Sequence, residues 1–398
     1  MRVVLALNKQ FVGVNGGMEK VFCNLSNELV HRGHEVTSVY CTERTGEIYT
    51  PLDPRVKLEN LAHRLPGGGW ESVRPLPFVL KREWLRIVNR PRCHDYVIRT
   101  EAARLCDAAR ELLSVARPDV IISFDARTSL LYETVSSAPV VTMCHGNADF
   151  IWKESTPVEK EALRKSDVFQ VLMPSDKVYF EKRLPGLPIV QIPNIVPQYE
   201  EIDMEKDHKE ALITDVARIS EEKRQHLLIE AFAMVAGDYP SWKIELYGSE
   251  QGRPEYTEKL KKLVQSHHLE ERVLFNGDTR DVLSVYRRAS IFGFPSSYEG
   301  FPLAMTEAMS AGLPVVAYET CPAVNELVVD SRNGFLVKDG DLPFAEALRK
   351  LMDDEKLREK LGRQGREDMK AYAEKKIYDQ WEDLLEKVVR GEKIETDK

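Results

Sequence analysis

The sequence predicts an α/β protein of two Rossmann-like domains, each a parallel sheet covered by helices on both faces. Three observations predict it. A chain of 398 residues is too long for one ordinary core, and its 43% hydrophobic content is that of a globular protein. Both halves alternate short apolar runs with stretches of helical period, the βαβ rhythm of a parallel sheet. Between 194 and 210 the rhythm stops, where Pro193, Asn194, Pro197 and a charged run from Glu200 to Glu210 interrupt the apolar segments. The domains are therefore placed at 1–196 and 197–372, with 373–398 as a separate tail.

Val3 to Leu7 reads as a first buried strand, a short apolar run that reaches Asn8 and lacks the cleavage pattern of a secretion signal. A loop with Gly13, Gly16 and Gly17 follows, then a helix from about Met18 to His31 with Val21, Phe22, Leu25 and Leu29 on one face. His34 to Tyr40 returns as a strand, and His31 and His34 read as exposed helix ends. Asp119 to Phe124, Val140 to Cys144 and Phe169 to Met173 are further buried strands. From Leu61 to Arg99 the pattern becomes irregular, with Gly67-Gly68-Gly69 and several prolines, and reads as an inserted loop region.

The second half is cleaner. Strands at 213–219, 242–247, 272–275, 291–295 and 314–318 alternate with helices at about 226–237, 255–267, 281–289 and 302–311. A last helix, about 373–390, puts Ile377, Trp381, Leu384, Leu385 and Val388 on one face.

The most informative stretch runs from Phe294 through Ala317. The apolar run Ile291 to Phe294 ends in a polar turn, Ser296 to Gly300, and a helix opens with Pro302 at its first position, where a missing N–H costs nothing. Helix-opening amides beside Gly300 make an anion site. Glu299 and Glu307 flank it, one in the turn and one inside the helix. An anion site bracketed by two carboxylates suits a ligand with phosphates and hydroxyls together, such as a sugar nucleotide. Arg218, at the end of strand 213–219, and Lys223, in the loop after it, supply matching cations where open α/β sheets bind ligands. Arg offers a planar fork for phosphate oxygens and Lys a mobile point charge. Glu221, Glu222 and Arg224 would also suit a plain solvated loop; the Glu299/Glu307 segment tips the reading towards function. His145 follows Val140–Cys144 and precedes Gly146-Asn147, at a strand's end.

These residues, taken together, resemble the GT-B retaining glycosyltransferases of the glycogen-synthase-like family (group 1, family 4). The resemblance runs over nearly the whole chain. It includes Gly16-Gly17-Met18-Glu19-Lys20, His145, Ile192-Pro193-Asn194, Arg218 with Lys223, and Phe275-Asn276-Gly277. Glu299 and Glu307 with Gly300-Phe301-Pro302 between them, and Asn333-Gly334-Phe335-Leu336-Val337, complete it. The resemblance implies two Rossmann-like domains facing across a cleft, with the last helix crossing back onto the first. It also implies transfer, with retention, of a sugar from a nucleoside diphosphate, UDP on family prevalence, to a hydroxyl acceptor. By the same resemblance His145 and Glu299 contact the donor sugar and Glu307 holds the ribose. Arg218, Lys223 and the segment Gly300, Phe301, Pro302 and Leu303 meet the diphosphate. Gly16 and Gly17 approach diphosphate or acceptor, and Gly277 begins the stretch whose backbone contacts the base.

No metal or other cofactor is expected, since Arg218, Lys223 and a helix terminus already neutralise phosphate. Asp339-Gly340-Asp341 imitates a metal-binding D-x-D, but it leads into a helix from Phe344 to Met352 and reads as turn and cap chemistry. A dinucleotide-binding reading has Glu43 after the second strand in its favour, but the glycine loop does not match G-x-G-x-x-G. A nucleotide-sugar epimerase and a non-catalytic sugar-nucleotide binder are the competing functions. A net charge of −8 argues against a nucleic-acid partner. Six cysteines without a C-x-x-C pair, and no secretion signal, point to the cytoplasm. From Arg74 to Arg110 nine basic residues face four acidic ones, with Trp84, Leu85, Ile87 and Val88 interleaved. That segment suits either a solvated helix or an anionic surface: the inner face of the membrane, or a polyanionic acceptor. The expected acceptor is an envelope glycan, a lipid-linked saccharide or another anionic polymer.

Overall fold

The computed structural model describes residues 1–14, 16–65, 75–200, 209–250 and 254–394. Gly67-Gly68-Gly69, Arg74 and most of the run Glu200–Glu210, all read above from sequence, lie outside the described residues. The chain divides into two compact units, 1–193 with 378–398, and 194–377. The sequence put these breaks at 196/197 and 372/373. Residues from Asn194 go with the second unit because the Val196 N–H donates to the Tyr372 carbonyl at 2.9 Å and Gln198 Nε2 donates to the Met369 carbonyl at 3.1 Å.

The first unit holds a seven-stranded sheet of β1 (Arg2–Leu7), β2 (Glu35–Tyr40), β3 (Lys57–Asn60), β4 (Val120–Ser123), β5 (Val140–Met143), β6 (Val168–Val171) and β7 (Ile189–Gln191). Its order is β3-β2-β1-β4-β5-β6-β7, and every pair is parallel. The second unit holds β8 (Leu212–Val216), β9 (Lys243–Tyr247), β10 (Val273–Gly277), β11 (Ile291–Phe294), β12 (Val315–Tyr318) and β13 (Gly334–Val337). Their order, β10-β9-β8-β11-β12-β13, is again parallel throughout. In both sheets the chain order reverses at one place, between β1 and β4 and between β8 and β11. Ligands of such sheets bind outside the carboxyl ends of the strands there.

Strands covered on both faces read as continuous apolar runs, and β4, β5, β6, β11 and β12 are buried at every residue. Of the strands that the sequence reading did not include, β3 and β7 are edges in which at most one residue is fully buried, so their apolar pattern is weak. The region read as irregular from Leu61 to Arg99 is a correction: it contains the helix Leu76–Val88 and the first turns of the 27-residue helix Arg90–Ala116. The prolines that suggested breaks sit in first turns, Pro77 in one helix and Pro91 in the other, where a missing N–H has no partner to lose. Asn89 caps the second of them, its side chain accepting from the Arg92 N–H at 3.0 Å.

The helix Glu374–Arg390 belongs to the first unit from Tyr378 onward, and Ile377, Tyr378, Trp381, Leu384 and Leu385 are buried. Asp379 pairs with Arg32 at 2.9 Å and Glu382 with His34 at 2.9 Å. The reading of His34 as an exposed helix end is therefore wrong: only 8% of its side chain is exposed, held between that carboxylate and the amino terminus of Met1 at 3.2 Å.

Candidate functional site

In the second unit, the loops after neighbouring strands β8 and β11 bring the two predicted charges together. Lys223 Nζ lies 2.5 Å from Glu299 Oε1, both side chains largely buried. Lys223 ends a 3-10 turn, Glu221–Lys223, that follows β8, and Glu299 sits in the turn after β11. The backbone fixes this pairing independently of the charges, because the Ser297 N–H donates to the Glu222 carbonyl at 3.1 Å. The loop after β9 is tied in as well: Ala217 N–H donates to the Tyr247 carbonyl and Ile219 N–H to that of Ser249, at 2.9 and 3.0 Å. Gly248 makes that approach feasible. Its φ is +143°, and a Cβ there would lie 1.9 Å from the Ala217 carbonyl oxygen.

Arg218 is half exposed, with Glu222 Oε1 at 3.4 Å, and its carbonyl accepts from Gln225 Nε2 at 2.9 Å. It is thus held by its backbone while its guanidinium reaches solvent. Arg224, read from sequence as one more solvated charge, is instead built in. Its backbone is left-handed, φ 55° and ψ 32°, its guanidinium lies 5.0 Å over the Tyr318 ring, and it pairs with Asp339. That pair and the helix Asp341–Asp353 account for the D-x-D imitation: Asp339 holds an arginine and Asp341 opens a helix.

The sequence reading missed Asp215. It lies in β8, fully buried, and its Oδ2 has no hydrogen-bond partner among the described residues; nor does the buried Gln225 Oε1. Burial raises this carboxyl to about 7, with Gln225 and the Lys223 charge opposing the shift and Glu299 adding to it. A proton on Asp215 would give these acceptors a donor. One acid inside the apolar run Leu212-Ile213-Thr214-Asp215-Val216 was the available signal.

The helix after the Glu299 turn spans Leu303–Ser310, so Pro302 is its N-cap and not its first residue. Its φ of −76° and ψ of 76° turn the chain into the helix, and the Leu303 N–H donates to the Phe301 carbonyl at 2.9 Å. Gly300, Phe301 and Pro302 are buried, Leu303 is half-buried, and the Phe301 ring packs on Tyr372 at 5.6 Å. Glu307 is buried inside this helix, and its charge helps raise the phenols of Tyr199 and Tyr286, whose main cause is burial. Gly277 ends β10 at φ +66°, where the register shifts and its carbonyl accepts from the Gly248 N–H at 2.8 Å.

His145, Gly16 and Gly17 belong to the first unit. His145 follows β5, stacks on Phe124 (5.0 Å, 17°), and its buried Nε2 has no hydrogen-bond partner among the described residues. Burial, helped by the Lys9 charge and opposed by Asp125, lowers it to about 3, so the ring is neutral at physiological pH. Gly16 caps the helix Gly17–His31 with an extended φ of −136° that any residue adopts. A Cβ there would meet only the movable Glu19 carboxylate, at 2.3 Å, so the backbone does not demand glycine at that point.

Known proteins now place this arrangement. Residues 15–198 match the family model described as Glycosyltransferase Family 4, and residues 200–368 match that described as Glycosyl transferases group 1. The chain belongs to these group 1 glycosyltransferases, of GT-B fold, and is a transferase enzyme. An uncharacterized glycosyltransferase of Haemophilus influenzae is 24% identical over 387 residues, 94% of this chain and 97% of that one. The amylovoran biosynthesis glycosyltransferase AmsD of Erwinia amylovora is 23% identical over 380 residues, covering 93% and 96%. Among solved structures, a TarM variant from S. aureus, in complex with fondaparinux, α-GlcNAc-glycerol and UDP, superposes with a TM-score of 0.75. It is 16% identical, with 97% of this chain and all of that one covered.

Proposed function

We propose that this glycosyltransferase moves a sugar from a nucleoside-diphosphate sugar, UDP-linked, to a hydroxyl of an envelope glycan or lipid-linked saccharide, with retention. The observation that carries the donor side is the Lys223–Glu299 pair at the sheet's switch point, beside Arg218 and the helix Leu303–Ser310. Glu299 occupies Lys223. A lysine has three donors, so it can keep Glu299 while it meets a phosphate oxygen, and Glu299 retains a second oxygen for a sugar hydroxyl. As the bond from the anomeric carbon to the diphosphate breaks, negative charge grows on the leaving oxygen, where Arg218, Lys223 and the helix terminus stabilise it. Glu307 accepts from the ribose hydroxyls. Neutral His145, its Nε2 unpartnered, hydrogen-bonds a donor-sugar hydroxyl. No carboxylate is assigned as a nucleophile. The cations do the work a divalent ion would do, so the reaction runs without metal. For the acceptor, AmsD supplies the support: its name places it in polysaccharide biosynthesis. Peripheral association with the inner face of the membrane belongs to the same reading.

A thermal-shift screen of UDP, GDP and ADP sugars tests the donor. Saturation at about 100 Kd stabilises the protein by roughly 2.7 kcal/mol, and the UDP sugar is expected to give the shift. Product analysis with donor alone then separates transfer from epimerisation, and no shift with any nucleotide sugar would overturn the reading.

A further inference from the structure

The helix Leu76–Val88 has two apolar faces, and among the described residues only one of them is covered. Phe78 and Leu85 are buried, Phe78 stacking on Tyr96 of the following helix at 5.3 Å. On the other side Leu76, Leu80, Trp84, Ile87 and Val88 are all exposed, from Trp84 at 60% to Ile87 at 84%. At about 100° per residue these five fall within an arc of roughly 120°. Isolated exposed apolar residues are ordinary, but five on one stripe are not.

The stripe has a charged border. Lys81 borders the stripe on one side and Glu83 on the other, with Arg86 about 80° beyond that edge; Lys81, Arg82, Arg86, Arg90 and Arg92 make five basic side chains between Leu76 and Arg92, against Glu83 as the sole acid. Glu83 is shared by Arg82 and Arg86, at 2.7 and 2.8 Å. Lys81 lies 4.5 Å over the Tyr96 ring, so its stem is laid along the helix pair. An apolar face set in a basic segment, with its one acid taken up by two arginines, fits a surface that is apolar inside and anionic at its rim, although the chain as a whole has a net charge of −8.

We propose that this face docks the first unit onto an anionic lipid bilayer, the helix lying in the interface with Leu80, Trp84 and Ile87 among the acyl chains and Lys81, Arg86 and Arg90 at the phosphates. The proposal deepens the membrane-side reading above and names the element and the lipid chemistry. Charge complementarity decides against a second copy of the chain, since a two-fold pairing of this stripe would set the same cations against each other. Trp suits the boundary because its ring is apolar and its N–H polar.

Co-sedimentation of the full chain with vesicles, in the absence of donor and acceptor, tests this independently of transfer activity. Binding to phosphatidylglycerol-containing vesicles is expected, at least about tenfold tighter than to pure phosphatidylcholine and weakened by about 0.5 M salt. Trp84→Ser/Ile87→Ser should lower vesicle affinity by about tenfold or more. Its melting temperature and its transfer to a short water-soluble acceptor should be unchanged, since both side chains already face solvent. Lys81→Gln/Arg86→Gln/Arg90→Gln should remove the preference for anionic lipid. Wild-type protein that ignores both vesicles, or an apolar variant that binds as wild type does, would overturn the proposal. So would a wild-type dimer in solution that Trp84→Ser/Ile87→Ser converts to monomer.

Discussion

The loops after β8 and β11 and the strand end at His145 are both places where a parallel sheet presents side chains to a ligand, yet they are prepared differently. In the second unit each of the three cations in the loop after β8 already has a partner: Lys223 has Glu299, Arg218 has Glu222, Arg224 has Asp339. In the first, His145 is neutral and its Nε2 is unpartnered. A site that meets a diphosphate must keep its cations in position without collapsing them onto the protein, and shared carboxylates do that. A site that meets a sugar hydroxyl needs only one unspent hydrogen-bonding atom on a rigid ring. On this account the second unit governs nucleotide affinity and stabilises the leaving diphosphate, and His145, in the first, acts on transfer alone.

The largest expected effect falls on the cations. Lys223→Ala and Arg218→Ala should each lower kcat/KM by about 100-fold or more, comparable to losing one strong donor at a developing anion. They should differ in stability. Lys223→Ala strands a mostly buried Glu299 and should lower the melting temperature clearly, whereas Arg218, half exposed, should leave it nearly unchanged. Near-wild-type kinetics in either variant would put that residue on an ordinary loop.

His145→Ala should lower kcat while leaving the Kd for free nucleotide unchanged, and Glu307→Ala should do the reverse, weakening nucleotide about tenfold or more. The His145 contribution should also lack a titration limb near pH 6.5, because the ring is neutral down to about 3. A limb that vanishes in His145→Ala would show that the imidazole is charged in use.

A subtler effect concerns pH and stability. The Asp215 carboxyl, raised to about 7, holds a proton in the folded protein that an unfolded aspartate releases above about 4. Its stabilising contribution is full below that lower value and is lost as pH rises through about 7. Glu133, half-buried in the first unit and also raised to about 7, contributes with the same sign; His145, lowered to about 3, contributes with the opposite one, its part being lost as pH falls through that value. Melting temperature measured from pH 5 to 8 should therefore fall less for Asp215→Asn than for wild type. Parallel curves would mean Asp215 is ionised throughout.

The smallest effect expected is none: chelator should leave turnover intact. Complete loss restored by Mg²⁺ or Mn²⁺ would return Asp339 and Asp341 to consideration, at the cost of the Arg224 pair.

Legibility in the sequence followed the strength of the local pattern. The buried central strands were readable because they are uninterrupted apolar runs, and the Glu299 turn because Gly300 and Pro302 punctuate it. Proline misled at Leu76–Val88, since a breaker in mid-helix and a first-turn proline look alike without a known helix start. Asp215 and Arg224 were passed over for a related reason. What matters about each is a partner brought in by the fold: Gln225 and the Lys223–Glu299 pair for the first, Asp339 and Tyr318 for the second. His34 was misread likewise, because Glu382 lies 348 residues away along the chain.

The central claim is that nucleotide affinity resides in the second unit and that His145, in the first, acts on transfer alone. Titration calorimetry of UDP into wild type, Lys223→Ala and His145→Ala tests it most directly. The account predicts equal affinity for wild type and His145→Ala, and about tenfold or more weaker binding for Lys223→Ala. A loss of UDP affinity in His145→Ala as large as that in Lys223→Ala would contradict it.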